Sequence, residues 1–514
     1  MSDAKLTSAS PENRVPSAMK PAGAWASAPV DRRIEGRSSR ARLLIAIAGV
    51  VLLTDACKVG PDYKPPRPNV SAAWAGVPGT PTAQPSVATS QTADLAQWWR
   101  KFNDAVLTRL VEEAIHTNLD LQLAEARLRQ ARATRGVVAG GLWPAVTGSA
   151  AYQRTRPGGT TPASHDQDLF LAGLDAVWEL DVFGGIRRNV ESANASIRAA
   201  QEGIRDVQVS VVAEVALDYV QLRGAQQQIV IAQNNIQAQR HTADLTRQRF
   251  TAGFVSGLDV ANADAQVATT ESQIPVLETA ARQAIYALST LLARPPADLL
   301  QELSATEPLP VTPPEVPVGL PSDLLRRRPD IRQAEAELQV ATAQIGVATA
   351  DLFPKFSLTG SLNYQNNVLR DLFAGPSRAW SVGPSVNWPI FQGASIVSNI
   401  RAQKALRDQA YISYQKIVLT ALQDVENALI AFAKEWEHRK SLNDAVVANR
   451  KAVGLSMQLY AQGQTDFLNV LNAQRSLYAS EDALVQSTRN TASSLIAVYK
   501  ALGGGWEGQS SAPP

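Results

Sequence analysis

Cys57 is the only thiol among 514 residues, so no disulfide can form within the chain, and the chemistry open to it is the acceptance of a covalent group. It stands just after residues 43–53, an apolar run preceded by Arg40 and Arg42. That run is too short to span a bilayer and suits the apolar region of an export signal. A cysteine in this position is where an exported bacterial protein is cleaved and acylated. The usual pattern has Leu three residues before the cysteine, whereas Thr54, Asp55 and Ala56 precede it here and Leu53 falls one place early. Export and position together favour a lipid anchor at Cys57 over a buried or free thiol, and Lys58, rather than Asp, after it favours the outer membrane. The other reactive types form no constellation. His116, His165, His241 and His438 are scattered without metal-ligand spacing, and no phosphate-cradling glycine loop or nucleophile motif occurs. Arg328-Pro329-Asp330 reads as structure, with Pro329 opening a helix and Asp330 in its first turn. The expectation is a protein that is not an enzyme, with no metal and no cofactor beyond a covalent lipid.

A net charge of +2 gives no reason to expect nucleic acid. Residues 1–42 are polar, rich in Pro, Ser and Arg, and read as disordered, with Met19 as an alternative start. The stretch that organises the rest is 169–250. Within it Phe170, Ala172, Leu174, Ala176, Trp178, Leu180 and Val182 alternate with Gly173, Asp175, Glu179 and Asp181. Period-two alternation puts one set on each face of a strand, apolar on one side and wet on the other, which suits a barrel wall. Gly184 and Gly185 permit a turn, and a proline-free helix is predicted from Ile186 to Phe250 with its stripe at Ile204, Val207, Val211, Val215, Tyr219, Leu222, Ile229 and Ile236. Its length, roughly 100 Å at 1.5 Å per residue, exceeds any bilayer, and its polar residues exclude lipid burial.

Upstream, a helix is predicted from about Asp94 to the break at Gly140 and Gly141, then a short strand carrying Val146, Gly148, Ala150 and Tyr152. Downstream, the tip 251–257 leads into a single return helix over 258–292. The second half repeats this plan at an offset of 210: Gly463 matches Gly253, Leu468 matches Leu258, Tyr460 matches Phe250, and Leu352-Phe353-Pro354 matches Leu142-Trp143-Pro144. Its strands alternate as Phe356, Leu358, Gly360, Leu362, Tyr364 and as Trp380, Val382, Val386, Trp388, Ile390. The expected domains are a leader and signal over 1–56, an extended tether over 57–93, a first repeat over 94–292, a Pro-rich linker over 293–321, a second repeat over 322–502 and a tail over 503–514. Four strands cannot close a membrane barrel, so copies must join through their edge strands.

These residues resemble the TolC family of outer-membrane factors, in its lipoprotein branch serving resistance-nodulation-division (RND) efflux pumps. The carriers are Val59-Gly60-Pro61-Asp62-Tyr63-Lys64-Pro65-Pro66, Leu180-Asp181-Val182-Phe183-Gly184-Gly185, Arg327-Arg328-Pro329-Asp330-Ile331, Tyr460 with Gly463 to Gln474, and Tyr499-Lys500-Ala501-Leu502-Gly503-Gly504-Gly505-Trp506. The resemblance implies an α+β membrane protein: a homotrimer whose twelve-strand β-barrel in the outer membrane continues into a twelve-helix periplasmic α-barrel, with two structural repeats per chain. It also implies a passive exit channel for small molecules, working with a periplasmic adaptor (membrane fusion) protein and an inner-membrane RND pump. The adaptor would grip the tips, here Gly253, Phe254, Val255, Ser256, Gly257, Gly463, Gln464 and Thr465. The periplasmic gate would comprise Leu468, Asn472 and Arg475 with Asp466, Leu258 and Asp259. Relatives carry an aspartate where Asn472 stands; here that acidic ring is lost or moved, with Asp466, Asp259 or Asp264 as the candidate substitutes. Apart from the resemblance, Leu468 reads as ordinary helix packing. Two other functions stay open: the outer-membrane duct of a type I protein secretion system, and a periplasmic coiled-coil scaffold without a pore.

Overall fold

The structure is a computed structural model, and it describes residues 58–68, 74, 95–156, 158, 166–312, 319 and 321–507. Cys57, His165, the leader 1–56 and most of the tether lie outside these residues. All described elements belong to one unit, Cys57–Pro514.

The first half opens with α1 (Ala105–Thr117) and α2 (Leu119–Gly140), then β1 (Ala145–Thr155) and β2 (Gln167–Leu180), and the long α3 (Gly185–Thr251). The return is α4 (Gly257–Glu271) and α5 (Ile274–Leu291), followed by a single turn, α6 (Leu300–Leu303). The second half comprises α7 (Pro321–Arg327), α8 (Pro329–Ala350), β3 (Lys355–Asn366), β4 (Arg378–Asn387), α9 (Ser395–Ala461) and α10 (Phe467–Ala501). Helices α2 and α8 both have 22 residues, and α3 and α9 both have 67.

Three expectations are corrected. The helix predicted from Asp94 is instead a 3-10 turn, Trp98–Phe102, then α1 and α2, because the Asn118 side chain accepts from the N–H groups of Asp120 and Leu121 and so starts a new helix. The single return helix over 258–292 is broken between Glu271 and Ile274, where Pro275 enters the first turn of α5. Proline has no N–H to give to the preceding turn and its ring crowds that turn's carbonyl. Strand β4 ends at Asn387, so Trp388 and Ile390 lie beyond it. The linker contains the single helical turn α6.

The four strands form an antiparallel sheet in the order β1-β2-β3-β4. Its register decides which side chains share a face, since residues directly opposed point the same way. Val146 opposes Ala176, Tyr152 opposes Phe170, Leu174 opposes Leu362, Trp178 opposes Leu358, and Leu362 in turn opposes Trp380. One face is therefore apolar across all four strands. On the other, Ser357 meets Ser385 at 2.7 Å, Ser361 meets Ser381 at 2.8 Å, and Asp175 and Glu179 join them. Leu174, Trp380, Val382 and Val386 on the apolar face are exposed, because no helix among the described residues covers them. No helix of the described residues is long and apolar enough to cross a membrane.

The helices have their own core. Val211, Val212, Val215, Ala216, Tyr219, Val220 and Leu222 of α3 are buried together with Leu107, Leu110 and Val111 of α1 and Leu495, Ile496 and Tyr499 of α10. A helix buried on so many sides in its middle is the one the others pack around. The carboxy-terminal glycines complete this core. Tyr499 stacks on Trp98 at 5.0 Å, Gln208 donates to the Gly505 carbonyl at 2.8 Å, and Trp506 lies between Arg205 and Arg332, at 4.7 and 5.4 Å.

Inside this helical layer burial raises both Asp206 and Asp218; burial, with the charge of Glu214 adding, pushes Asp218 from the ordinary 3.8 up to about 6. A carboxyl whose folded pKa is raised penalises the folded state while ionised. The penalty is full above about pH 6, shrinks as pH falls through that value, and is gone below the unfolded pKa. Asp218→Asn is therefore expected to raise the Tm at pH 8, with the gain fading below pH 6. A gain that is the same at pH 8 and pH 4 would contradict this origin.

Candidate functional site

Two places bring the singled-out residues together: the turns at the far ends of the long helices, and the start of the tether. At the first, α3 ends with Gly253 at φ 79° and α9 ends with Gly463 at φ 74°. In both, the N–H three residues past the helix end reaches back five residues, from Phe254 to the Arg249 carbonyl and from Gln464 to the Leu459 carbonyl, each at 2.9 Å. This closure needs a left-handed residue before the last donor, which glycine adopts without a Cβ clash. The following helices start differently. Ser256 and Asp259 form a capping box at the start of α4, while Asp466, its counterpart before α10, makes no side-chain cap bond.

Beneath the turns, Ala243, Ala263, Tyr460, Phe467, Val470 and Leu471 form a small separate core. Arg249 of α3 clasps the second turn: its guanidinium lies 4.6 Å from the Tyr460 ring and donates to the Tyr460 carbonyl. Arg475 donates to Gln266 at 2.6 Å, joining α10 to α4, and Arg247 ties Asp244 and Asp264. Leu258 and Leu468, at corresponding places in the two halves, are 68 % and 57 % exposed, and Asn472 is exposed beside Leu468. Phe467, Val470, Leu471 and Gln474 fill the interior of α10 instead, so packing within the chain does not account for Leu468. Of the three acids that could substitute for an acid at 472, Asp259 is bound in its cap and Asp264 in an ion pair. Asp466 alone is left to face solvent or another copy. Phe254, Ser256, Gly257 and Gln464 are exposed, and Val255 and Thr465 half-buried.

The tether start is held at the junction of sheet and helices. Val59 donates to the Phe183 carbonyl at 3.2 Å. Gly60, at φ 88°, lies so close to α8 that a Cβ on it would come within 2.5 Å of Gly346 Cα. Arg188, its side chain 2 % exposed, donates Nε to the Val59 carbonyl at 3.1 Å and Nη2 to Asp62 at 2.7 Å, while Nη1 reaches Glu191 at 2.9 Å. That hydrogen bond and the charge behind it hold the Asp62 carboxyl below its usual range. Further on, Tyr63 donates to Glu335 at 2.9 Å. An irregular segment has no ladder to satisfy its carbonyls, and a buried guanidinium supplies the donors. Arg223 does the same for the linker, donating to the Ala305 carbonyl at 2.8 Å and to Glu307 at 2.6 Å. The sequence gives no sign of either role, because the partners are 82 to 129 positions away.

Arg188→Ala should free this segment while leaving the helical core folded. Losing bonds from a charged donor costs about 2 kcal/mol, so trypsin cleavage between Lys58 and Val59 should accelerate about thirtyfold with little change in Tm. Unchanged cleavage would show that Arg188 does not hold the tether.

Among the described residues no group of three or more His, Cys, Asp or Glu is placed to hold a metal. The arrangement offers no reacting constellation. It offers a surface at the helix tips and a wall.

Residues 110–294 and 320–504 match the family described as outer membrane efflux protein. Nodulation protein T of Rhizobium leguminosarum bv. trifolii is 31% identical over 88% of this chain and 96% of its own length. The toluene efflux pump outer membrane protein TtgC of Pseudomonas putida is 32% identical, over 90% of this chain and 96% of its own. Among solved structures, the outer-membrane channel OprN is 40% identical with a TM-score of 0.80, over 88% of this chain and all of its own. The Neisseria gonorrhoeae MtrE outer membrane channel, in its open state, is 27% identical with a TM-score of 0.74, over 88% and 99%. With both halves matched by one family and relatives spanned nearly end to end, the chain belongs to the outer membrane efflux protein family.

Proposed function

We propose that this chain is the outer-membrane exit channel of a tripartite RND-type efflux pump, passing small molecules from the periplasm to the exterior without doing chemistry on them. The observation that carries this is the sheet. One face is apolar and uncovered over four strands, the other is polar, and both edges, β1 and β4, are open. Three copies joined edge to edge give a twelve-strand barrel with the apolar face toward lipid and the Ser, Thr and Asp face toward water. The equal lengths and the 210-residue offset of α2 with α8 and α3 with α9 support two structural repeats per chain and a twelve-helix tunnel below the barrel. The chain then divides as the leader 1–56, the tether, the two repeats with their linker, and the tail.

In this reading the tunnel is shut where Leu468, Asn472 and Arg475 of three copies converge, with Leu258, Asp259 and Asp466 beside them. An adaptor protein engages the turns at Gly253 and Gly463, and an inner-membrane pump supplies the energy. Lipid on Cys57 would anchor the chain in the inner leaflet. Its position supports this, for Cys57 stands two residues before Val59, which is bonded to Phe183 at the boundary between sheet and helices. Efflux is preferred to type I protein secretion because the similar proteins are named for toluene efflux and for pyoverdine export.

The test is the steady-state accumulation of a fluorescent pump substrate in cells lacking this protein and in the same cells with it restored. Accumulation should rise on deletion and return on restoration. Unchanged accumulation across a broad dye and drug panel, with altered secreted proteins, would favour the secretion duct.

A further inference from the structure

At the end of the sheet remote from the helices, the β3–β4 connection is a folded loop with an apolar surface. The Asn366 amide donates to the Asp371 carbonyl at 3.2 Å and to Ser377 Oγ at 2.7 Å, and Ser377 Oγ donates to the same carbonyl at 2.8 Å. Two 3-10 turns, Leu369–Asp371 and Gly375–Ser377, close over the buried Leu372. On this frame Phe373 is 71 % exposed, and Val368 and Leu369 are exposed with it. The Phe373 ring lies edge-on to Tyr364 at 5.3 Å, and Tyr364 belongs to the apolar face of the sheet. That face therefore continues past the ends of the strands and onto the loop.

Two arginines border the strip. The Arg370 side chain is 91 % exposed and its ion pair among the described residues is with its neighbour Asp371, at 3.6 Å. Arg378 opposes Tyr364 in register and has no ion pair among the described residues. The other connection at this end differs, since Arg154 pairs with Asp166 at 3.0 Å and with Asp168 at 3.8 Å. A neighbouring copy joining at β4 would bring β1 and those acids, which are already engaged.

We propose that the β3–β4 loop docks on the phosphate-bearing glycolipid of the outer leaflet, with Phe373 among the acyl chains and Arg370 and Arg378 on headgroup phosphates. Aromatic rings favour the boundary between hydrocarbon and headgroup. The guanidinium fork matches phosphate in geometry as well as charge. This rests on the outer-membrane barrel proposed above, from which it takes the direction of the apolar face.

The experiment uses the full chain carrying Cys57→Ser, reconstituted in phosphatidylethanolamine vesicles with bis-phosphorylated lipid A. A nitroxide is placed at Phe373→Cys or, should that variant fail to assemble, at Val368→Cys, and a control at Val382→Cys in mid-sheet. Collisions with oxygen and with a water-soluble nickel reagent are compared. Both labels should be open to oxygen and shielded from nickel. Each arginine near an anionic surface adds about fivefold to binding, so Arg370→Gln with Arg378→Gln should weaken lipid A retention by delipidated protein about thirtyfold. A shielded control with a nickel-accessible loop label and unchanged lipid A retention would overturn the docking alone. Nickel access at Val382 would overturn the barrel beneath it.

Discussion

Val382→Arg is expected to prevent assembly in the outer membrane, whereas Ser381→Arg, one residue away, is expected to be tolerated. Val382 lies on the exposed apolar face near the middle of β4, and Ser381 points the other way, against Ser361. An arginine at the mid-plane of a barrel wall costs about 2–4 kcal/mol per chain, and three copies multiply this to about 6–12 kcal/mol, comparable with the whole stability of a domain. An arginine on the lumen side stays hydrated. The measurement is the fraction of protein recovered in the outer membrane as a heat-resistant oligomer, which should fall at least about tenfold for Val382→Arg alone. Equal tolerance of both, or the reverse order, would mean that the sheet's apolar face packs on protein.

The second large effect concerns the tips. Leu468 is exposed in a chain whose neighbouring Phe467, Val470 and Leu471 are buried, so its partner is sought in another copy. Leu468→Cys, bridged between copies by a cleavable bifunctional thiol reagent, should raise substrate accumulation to the level of the deletion strain. Cleaving the bridge should restore efflux. Without the bridge, the smaller side chain loosens the closure, and cells should admit large antibiotics normally held outside. Full efflux from bridged cells would remove Leu468 from the conducting path.

The long elements were legible because their periodicity is local. The predicted helix 186–250 is α3, Gly185–Thr251, within one residue at each end. Strand faces were legible for the same reason, as the alternation in β2 and β3 decides which side each residue takes. Interruptions by single residues were not. Asn118 and Pro275 each break a pattern whose apolar spacing continues through them, and spacing alone carries no account of where a backbone N–H is bonded or missing. The clasping arginines, Arg188, Arg223 and Arg249, were out of reach for a different reason. Each acts on a segment brought close only by the fold, and on a helical surface an arginine looks like any solvated charge. At the tips the glycines were legible as turn formers. That Asp259 and Asp264 are occupied while Asp466 is not depended on neighbours the sequence does not align.

The central claim is a water-filled path through copies of this chain, and conductance across a planar bilayer tests it most directly. In the proposed reading the tips rest closed, so purified full-length protein should show few openings. A variant lacking the grips at Arg249 and Arg475 should show discrete, long-lived current steps, abolished when Leu468→Cys is added and bridged. Protein that inserts as a heat-resistant oligomer yet carries no current, with the grips present or removed, would contradict the account.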